Sequence, residues 1–165
     1  RRSLYVENDI RFTEGLNMGE DMMVMMKLFI CAGKVGIVHR PFYHYRQSNP
    51  ESLTKIYSQE HIIQVANNVY EVEKYVNASA YADSLIEFIP FLKLNIKLPL
   101  LITDDKSHYE QWLECFPEAN CYVMNNKLLP LRTRIIQWMA VKRYFILLRL
   151  YYRTVFKLVY GIIYK

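Results

Sequence analysis

The sequence predicts a mainly α-helical protein with a few short β-strands, and two observations support that fold class. Apolar side chains recur at helical spacing through most of the chain beyond residue 55, whereas extended patterns are confined to the first third. Hydrophobic residues make up 52% of the 165 residues, with only 5 Gly and 6 Pro, which excludes a disordered or low-complexity chain. A chain of this length is able to bury a core of its own.

The first 54 residues combine helical and extended patterns. A short helix is predicted over residues 1–10. A second helix is predicted over residues 22–30, which are apolar except for Lys27 and rich in unbranched Met and Leu, so we expect it to be buried on most sides. Two short strands are predicted to follow this helix, over residues 35–38 and 41–46.

The rest of the chain is nearly continuous helix, which places one domain boundary between residues 1–54 and residues 55–165. Apolar periodicity predicts four helices here, over residues 58–76, 81–94, 106–115 and 132–164. The last of these is either one long helix or a helix pair.

Local signals add detail to these helices. Pro90 is expected to kink the helix that contains it. Asp104 and Asp105 precede the third helix and are good capping residues for its start. Residues 121–124 fit an extended or a helical piece equally well.

The cysteines and the absence of known sequence motifs exclude several classes of protein. Cys31, Cys115 and Cys121 form an odd set without metal-ligand spacing, so we expect reduced thiols and a cytoplasmic location. The sequence contains no Gly-x-Ser-x-Gly, no P-loop and no Cys-His zinc pattern. Hydrolase, NTPase and zinc-module functions therefore lack support.

Glu20 and Asp21 are the main candidate catalytic residues, because two adjacent carboxylates stand at the start of an apolar helix. Acids in a first helical turn commonly serve only to complement the helix dipole, which is worth about 0.3–1 kcal/mol each. The aromatic and basic segment that follows, ending at Arg46, favours a functional role for the pair.

Four motifs in this region resemble a known family: Phe12…Glu14-Gly15-Leu16…Gly19-Glu20-Asp21-Met22, Lys34-Val35-Gly36-Ile37-Val38, Arg40-Pro41-Phe42-Tyr43-His44-Tyr45-Arg46 and Asn49…Ser52-Leu53. Together they are similar to the C-terminal part of the catalytic domain of bacterial family 2 glycosyltransferases, which have the A-type nucleotide-sugar glycosyltransferase fold. The resemblance covers about the first third of the chain. It implies an N-terminal donor-binding half with an Asp-x-Asp metal motif, which this sequence does not contain.

The resemblance implies roles for individual residues. Asp21 would be the general base of an inverting transfer, and Glu20 would orient the site or the acceptor. Arg46 and Tyr45 are candidates for binding the donor, Arg46 through its bidentate donor geometry, although an ordinary surface arginine is an equally good interpretation. His44 is a candidate ligand for Mg²⁺ or Mn²⁺, but a lone His between tyrosines is more often a packed or surface residue.

The function expected from this resemblance is transfer of a sugar from a nucleotide-sugar donor to a hydroxyl of a glycan or lipid-linked acceptor, in bacterial capsular or other surface polysaccharide synthesis. Residues 1–165 alone are expected to be inactive. The alternative from another class is a non-catalytic helical module for interaction or membrane association.

The C-terminal segment, residues 132–165, contains eight Lys and Arg residues and no Asp or Glu. On one continuous helix, four of these would share a face: Lys142, Arg149, Arg153 and Lys157. An interfacial helix at the inner membrane surface, which would make the protein peripheral, and a helix packed on its own domain or in a homodimer fit this pattern equally. The segment has no apolar run long enough to span a membrane. The mixture of basic and bulky aliphatic residues disfavours nucleic acid as a partner.

Overall fold

The computed structural model describes residues 1–44 and 59–160, and for residue 59 and residues 157–160 it describes only the backbone. The described protein is mainly helical, as the sequence predicted. It divides into two compact units, Arg1–Ser84 and Leu85–Lys165, which we call the first and second units. The predicted boundary between residues 54 and 55 lies outside the described residues.

The described residues of the first unit form three α-helices: α1 (Arg2–Glu7), α2 (Glu20–Cys31) and α3 (Gln59–Asn77). Helix α2 packs against α3, and α1 contacts α2. Val69, Val72 and Val76 follow helical spacing and are buried on α3, where they form a core with Met23 and Val24 of α2. A short 3₁₀ turn, Asp83–Leu85, lies at the end of this unit.

The predicted helix over residues 22–30 is present as α2, but the expectation that it is buried on most sides is wrong. Only Met23 and Val24 are fully buried in α2, while Met25 and Phe29 are 52% and 48% exposed. Among the described residues α2 packs chiefly against α3. A helix held mainly by one neighbour buries one face, whatever the composition of the opposite face.

The predicted strands do not form in the part of the chain that the structure describes. Residues 35–38 and 41–44 run without regular structure, while residues 45 and 46 lie outside the described part. A strand requires a neighbour that accepts and donates its backbone hydrogen bonds. No such neighbour is present for residues 35–38 within 1–44 and 59–160, so a β-type sequence pattern gives an irregular, exposed segment.

Up to residue 160, the second unit forms four α-helices: α4 (Phe88–Ile96), α5 (Lys106–Glu114), α6 (Leu131–Val141) and α7 (Phe145–Tyr151). Two 3₁₀ segments, Leu98–Leu101 and Pro117–Tyr122, connect them, and a π-helical segment, Tyr152–Tyr160, continues α7. Helix α6 packs against α5 and α7, and α4 packs against the 3₁₀ segment Pro117–Tyr122. Residues 121–124 were predicted to be either extended or helical. Cys121 and Tyr122 are helical and a turn follows them, so the extended alternative is wrong.

Two local predictions in this unit have different outcomes. Pro90 does not kink a helix, because α4 begins only at Phe88 and Pro90 lies in its first turn, where a missing N–H costs no helical hydrogen bond. Asp105 caps α5 as predicted, with its Oδ1 accepting a hydrogen bond from the Ser107 N–H at 2.9 Å. Asp104 is not the cap and instead lies 3.5 Å from Arg153.

The C-terminal segment is a helix pair rather than one helix, since α6 ends at Val141 and α7 begins at Phe145. Lys142 lies in the connection between them and so does not extend the face of α7 that carries Arg149. The predicted single basic face is therefore wrong with respect to Lys142. The side chain of Lys157 lies outside the described part.

Aromatic side chains dominate the core of the second unit. Trp112 and Tyr109 on α5 are fully buried, and Leu148 of α7 is 1% exposed. The Tyr109 and Phe145 rings lie 5.5 Å apart, which links α5 to the start of α7. Burial of each such side chain contributes roughly 2–3 kcal/mol, so this helical unit has a well-formed core of its own.

Candidate functional site

The two candidate carboxylates lie where the sequence predicted, at the first two positions of α2. Gly19 precedes them in a left-handed conformation, with φ of 79°, and as a glycine it offers no side chain to cap the helix. The Asp21 carboxylate instead accepts a hydrogen bond from the N–H of Met22 at 2.6 Å. Asp21 is exposed and Glu20 is half-buried, so the acidic start of α2 is open to a ligand.

Helix α3 holds the turn that precedes these carboxylates. The side-chain oxygen of Gln64 accepts a hydrogen bond from the Asn17 N–H at 3.0 Å. One turn further along, the Asn68 amide donates to the Met18 carbonyl at 2.8 Å. These contacts join residues 47 and 50 positions apart in the sequence. The turn immediately before Glu20 and Asp21 is thus attached to a neighbouring helix by two side chains.

Asn68 is a residue that the sequence interpretation missed. It is fully buried, and its Oδ1 has no hydrogen-bond partner within the described ranges. A buried amide with one unused acceptor is costly, by about 1–3 kcal/mol, so its position beneath the acidic turn calls for an explanation. The sequence pattern could have pointed to Asn68, because this Asn occupies an inward-facing position on a helix face that is otherwise apolar, beside Val65, Val69 and Val72.

The far end of α2 is attached to α3 as well. Lys27 lies 3.7 Å from Glu71 and 5.5 Å from the centre of the Tyr75 ring. The Cys31 sulfur and the Tyr75 hydroxyl are 2.9 Å apart, and this hydrogen bond raises the pKa of Tyr75 to about 12. Contacts at both ends of α2 make it a firm support for the carboxylates at its start.

Of the candidate donor-binding and metal-ligand residues, the structure describes only His44. His44 is exposed and lies in a segment without regular structure. Tyr45 and Arg46 lie outside the described residues. Within the described ranges, no group of three His, Cys, Asp or Glu side chains is placed to hold a metal ion. The donor-binding roles of Tyr45 and Arg46 and the metal-ligand role of His44 therefore stay predictions.

The second unit contains a buried ammonium group that the sequence did not indicate. Lys97 is 2% exposed, and its Nζ donates to three carbonyl oxygens and to the Asn120 side chain. It also lies 4.0 Å from the centre of the Trp112 ring. Burial lowers the pKa of Lys97 to about 8, although Cys115 and Glu118 act in the opposite direction.

This arrangement gives Lys97 a structural role. Its acceptors are the carbonyls of Trp112, Cys115 and Phe116 and the amide of Asn120, at 2.6–3.3 Å, all near the end of α5 and in the 3₁₀ segment that follows. Lys93, one turn earlier on α4, forms a 2.8 Å ion pair with Glu118 of the same 3₁₀ segment. The two lysines attach α4 to this segment, and the surrounded ammonium of Lys97 has no open side for a substrate.

The comparisons with known proteins add no relative to this description. A scan against protein-family models, a search of curated proteins and a search of solved structures each found no match to the chain. Among the helices of the described residues, none combines the length and the apolar character that crossing a membrane requires.

Proposed function

We propose that this chain is part of an inverting glycosyltransferase, in which the first unit supplies the general base. The observation that carries the proposal is the exposed carboxylate of Asp21 at the start of α2. The turn before α2 is held by hydrogen bonds with Gln64 and Asn68 of α3. The family resemblance of residues 12–53 gives this carboxylate its role. A general base must be held in position and be accessible to the acceptor hydroxyl that it deprotonates.

The proposed reaction is a single displacement at the anomeric carbon of the donor sugar. The acceptor oxygen forms a bond to that carbon while the bond to the diphosphate oxygen breaks, and a nucleoside diphosphate leaves. The acceptor proton passes to the Asp21 carboxylate. Glu20, half-buried beside it, orients the acceptor.

Donor binding involves residues beyond the described site. Arg46 and Tyr45 are proposed to contact the donor, with the arginine on the diphosphate. Mg²⁺ or Mn²⁺ would neutralise the leaving diphosphate. His44 would add one ligand to those supplied by a donor-binding half with an Asp-x-Asp motif.

The proposal also accounts for apolar side chains that the first unit leaves in solvent. Val35, Ile37, Val38 and Phe42 are 62–81% exposed. A run of exposed apolar residues on one segment marks a surface that packs on other protein. In an A-type domain this segment would lie against the donor-binding half, with its backbone paired to a neighbouring strand.

The proposed setting is bacterial capsular or other surface polysaccharide synthesis, with a glycan or lipid-linked acceptor at the cytoplasmic side of the inner membrane. The test is transfer of label from a panel of radiolabelled nucleotide sugars to glycan and lipid-linked acceptors by the protein that contains this chain. We expect incorporation that requires Asp21. Incorporation that does not change when Asp21 is replaced would contradict the proposal.

A second candidate function, membrane association through the second unit, is favoured by a specific observation. Ile146, Leu147 and Leu150 on α7 are 84%, 49% and 57% exposed, and Arg143 and Arg149 are exposed beside them in the sequence. Adjacent aliphatic and basic side chains are typical of helices that lie in the headgroup region of a bilayer. This function is compatible with sugar transfer to a lipid-linked acceptor.

A further inference from the structure

The second unit contains an open pocket of about 350 Å³ near the start of α5 and the start of α7. Its lining is basic, aromatic or aliphatic, and consists of Lys106, Tyr109, Arg143, Phe145, Ile146 and Arg149. Three cationic side chains therefore converge on one cavity that is large enough to admit a small ligand.

The cations of this pocket keep donors for a ligand. The Arg149 Nε–H donates to the Asp104 carbonyl at 3.0 Å, which uses one of the five N–H groups of the guanidinium. Lys106 lies 3.2 Å from Glu110 in an ion pair whose side chains are 65% and 48% exposed, so solvent screens it strongly. Arg143 has no ion-pair or hydrogen-bond partner for its side chain within the described ranges.

The backbone at Arg143 is a further unusual feature. Arg143 adopts a left-handed conformation, with φ of 58°, in the turn between α6 and α7. A residue with a Cβ is disfavoured in this conformation, and glycine is the usual occupant at such helix ends. Here the turn instead places a guanidinium at the pocket.

The remaining wall of the pocket is apolar. The rings of Tyr109 and Phe145 form its aromatic part, and Ile146 is 84% exposed at its edge. Leu147 and Leu150 continue the exposed aliphatic surface along α7. A ligand seated on the cations would thus have an apolar surface beside it.

We propose that this pocket binds a phosphate group. Guanidinium groups match phosphate oxygens in bidentate geometry. Three acidic side chains lie nearby: Glu110 pairs with Lys106, Asp104 lies beside Arg153, and Asp105 interacts electrostatically with Arg149. Both guanidinium groups still keep N–H donors for a phosphate. The phosphate belongs either to an anionic lipid headgroup or to a soluble phosphate, and the aliphatic rim favours the lipid. The inference deepens the membrane association proposed above for the second unit, and it does not depend on sugar transfer.

The test compares Arg143→Gln with Lys142→Gln in the 165-residue chain. Each variant removes one exposed positive charge, from adjacent positions in the same turn, but only Arg143 lines the pocket. Co-sedimentation is measured with phosphatidylcholine vesicles that contain or lack phosphatidylglycerol, at a salt concentration that screens distant charges. We expect Arg143→Gln to weaken binding to the anionic vesicles about tenfold, and Lys142→Gln to change it less than about twofold.

A second measurement separates the two sources of phosphate. The methyl resonances of Ile146 are followed while inorganic phosphate is added to the parent chain and to both variants. If the Ile146 resonances shift saturably with phosphate, and Arg143→Gln removes this shift while Lys142→Gln keeps it, the pocket binds phosphate. If the chain at the same time does not bind vesicles, the ligand is soluble phosphate. Lys106→Gln provides the same comparison if Arg143→Gln does not fold. The proposal would be overturned if the pocket variant and Lys142→Gln weakened binding equally. It would also be overturned if the parent chain bound neither anionic vesicles nor inorganic phosphate.

Discussion

The two units of the protein use charged side chains in opposite ways. In the first unit the carboxylate of Asp21 is exposed, and buried polar groups such as Asn68 hold the turn beneath it. In the second unit Lys97 is 2% exposed and surrounded by four acceptors, while the surface cations lie elsewhere, around the pocket that includes Arg143. One unit supports a charge at its surface, and the other encloses a charge in its core.

This comparison distinguishes charged side chains with a chemical role from those with a structural role. Burial and the number of satisfied hydrogen bonds, rather than the residue type, indicate which role a charged side chain has. A buried cation with all its donors used stabilises packing, because any ligand would have to displace existing partners. An exposed, positioned carboxylate retains free lone pairs and can accept a proton. The predictions below test this distinction, beginning with the largest effect.

The largest effect is expected for Asp21→Asn in the glycosyltransferase that contains this chain. The amide keeps the shape of the side chain but cannot accept the acceptor proton, so transfer should fall by about 10²–10⁴-fold. Donor binding and the helical circular dichroism spectrum should not change. Glu7→Gln, which removes an exposed carboxylate from α1, is the matched control and should retain parental transfer. If Asp21→Asn also transfers at the parental rate, the acidic pair is only a helix-start feature.

Lys97→Met tests the opposite role in the second unit. The substitution leaves four buried acceptors without their donor, so we expect a loss of about 3 kcal/mol in the free energy of unfolding. Both tryptophans, Trp112 and Trp138, lie in this unit, so their fluorescence during urea unfolding reports on it. Lys127→Met, at an exposed turn position, should be nearly neutral. A variant as stable as the parent would mean that the desolvation of the ammonium outweighs its hydrogen bonds.

The same lysine predicts a pH dependence of stability. Its pKa is about 8 in the folded protein and 10.5 for an ordinary lysine, so between these values the unfolded chain binds more protons. The contribution of Lys97 to stability therefore rises with pH across this window, by about 3 kcal/mol, and is constant below pH 8. The measurement is the difference in unfolding free energy between the parent and Lys97→Met at several pH values. A difference that stays flat or shrinks above pH 8 would contradict the lowered pKa.

The smallest effect is expected at the turn that precedes the acidic pair. Gly19 has a φ of 79°, and an added Cβ would lie 3.6 Å from Val65, an ordinary contact distance. Gly19→Ala should therefore cost roughly 1 kcal/mol through backbone conformation rather than steric overlap. Amide hydrogen exchange at the start of α2 is the readout. Gly33→Ala, where a Cβ meets open space and φ is not positive, is the control, and equal exchange in both variants would remove the conformational argument.

Short-range signals account for the parts of the fold that the sequence predicted well. Helix α3 was predicted over residues 58–76 and is observed at Gln59–Asn77, while α5 was predicted over residues 106–115 and is observed at Lys106–Glu114. Apolar spacing and a capping residue such as Asp105 act within one or two helical turns, so they can be recognised in the sequence before the tertiary structure is known. The position of Glu20 and Asp21 at a helix start was predictable for the same reason.

Tertiary structure decided what the sequence left open or predicted wrongly. Residues 35–38 have β-type spacing but no strand to pair with in the described ranges, and hydrogen bonding between strands is not encoded in one segment. The contacts of Gln64 and Asn68 with residues 17 and 18 bridge about 50 positions. The enclosure of Lys97 and the convergence of Lys106, Arg143 and Arg149 on one pocket also join separate elements. Helices α3 and α5 and the acidic turn follow from the sequence alone, because they depend on neighbours along the chain. The fold alone determined which charges are buried and which converge, because those depend on neighbours in space.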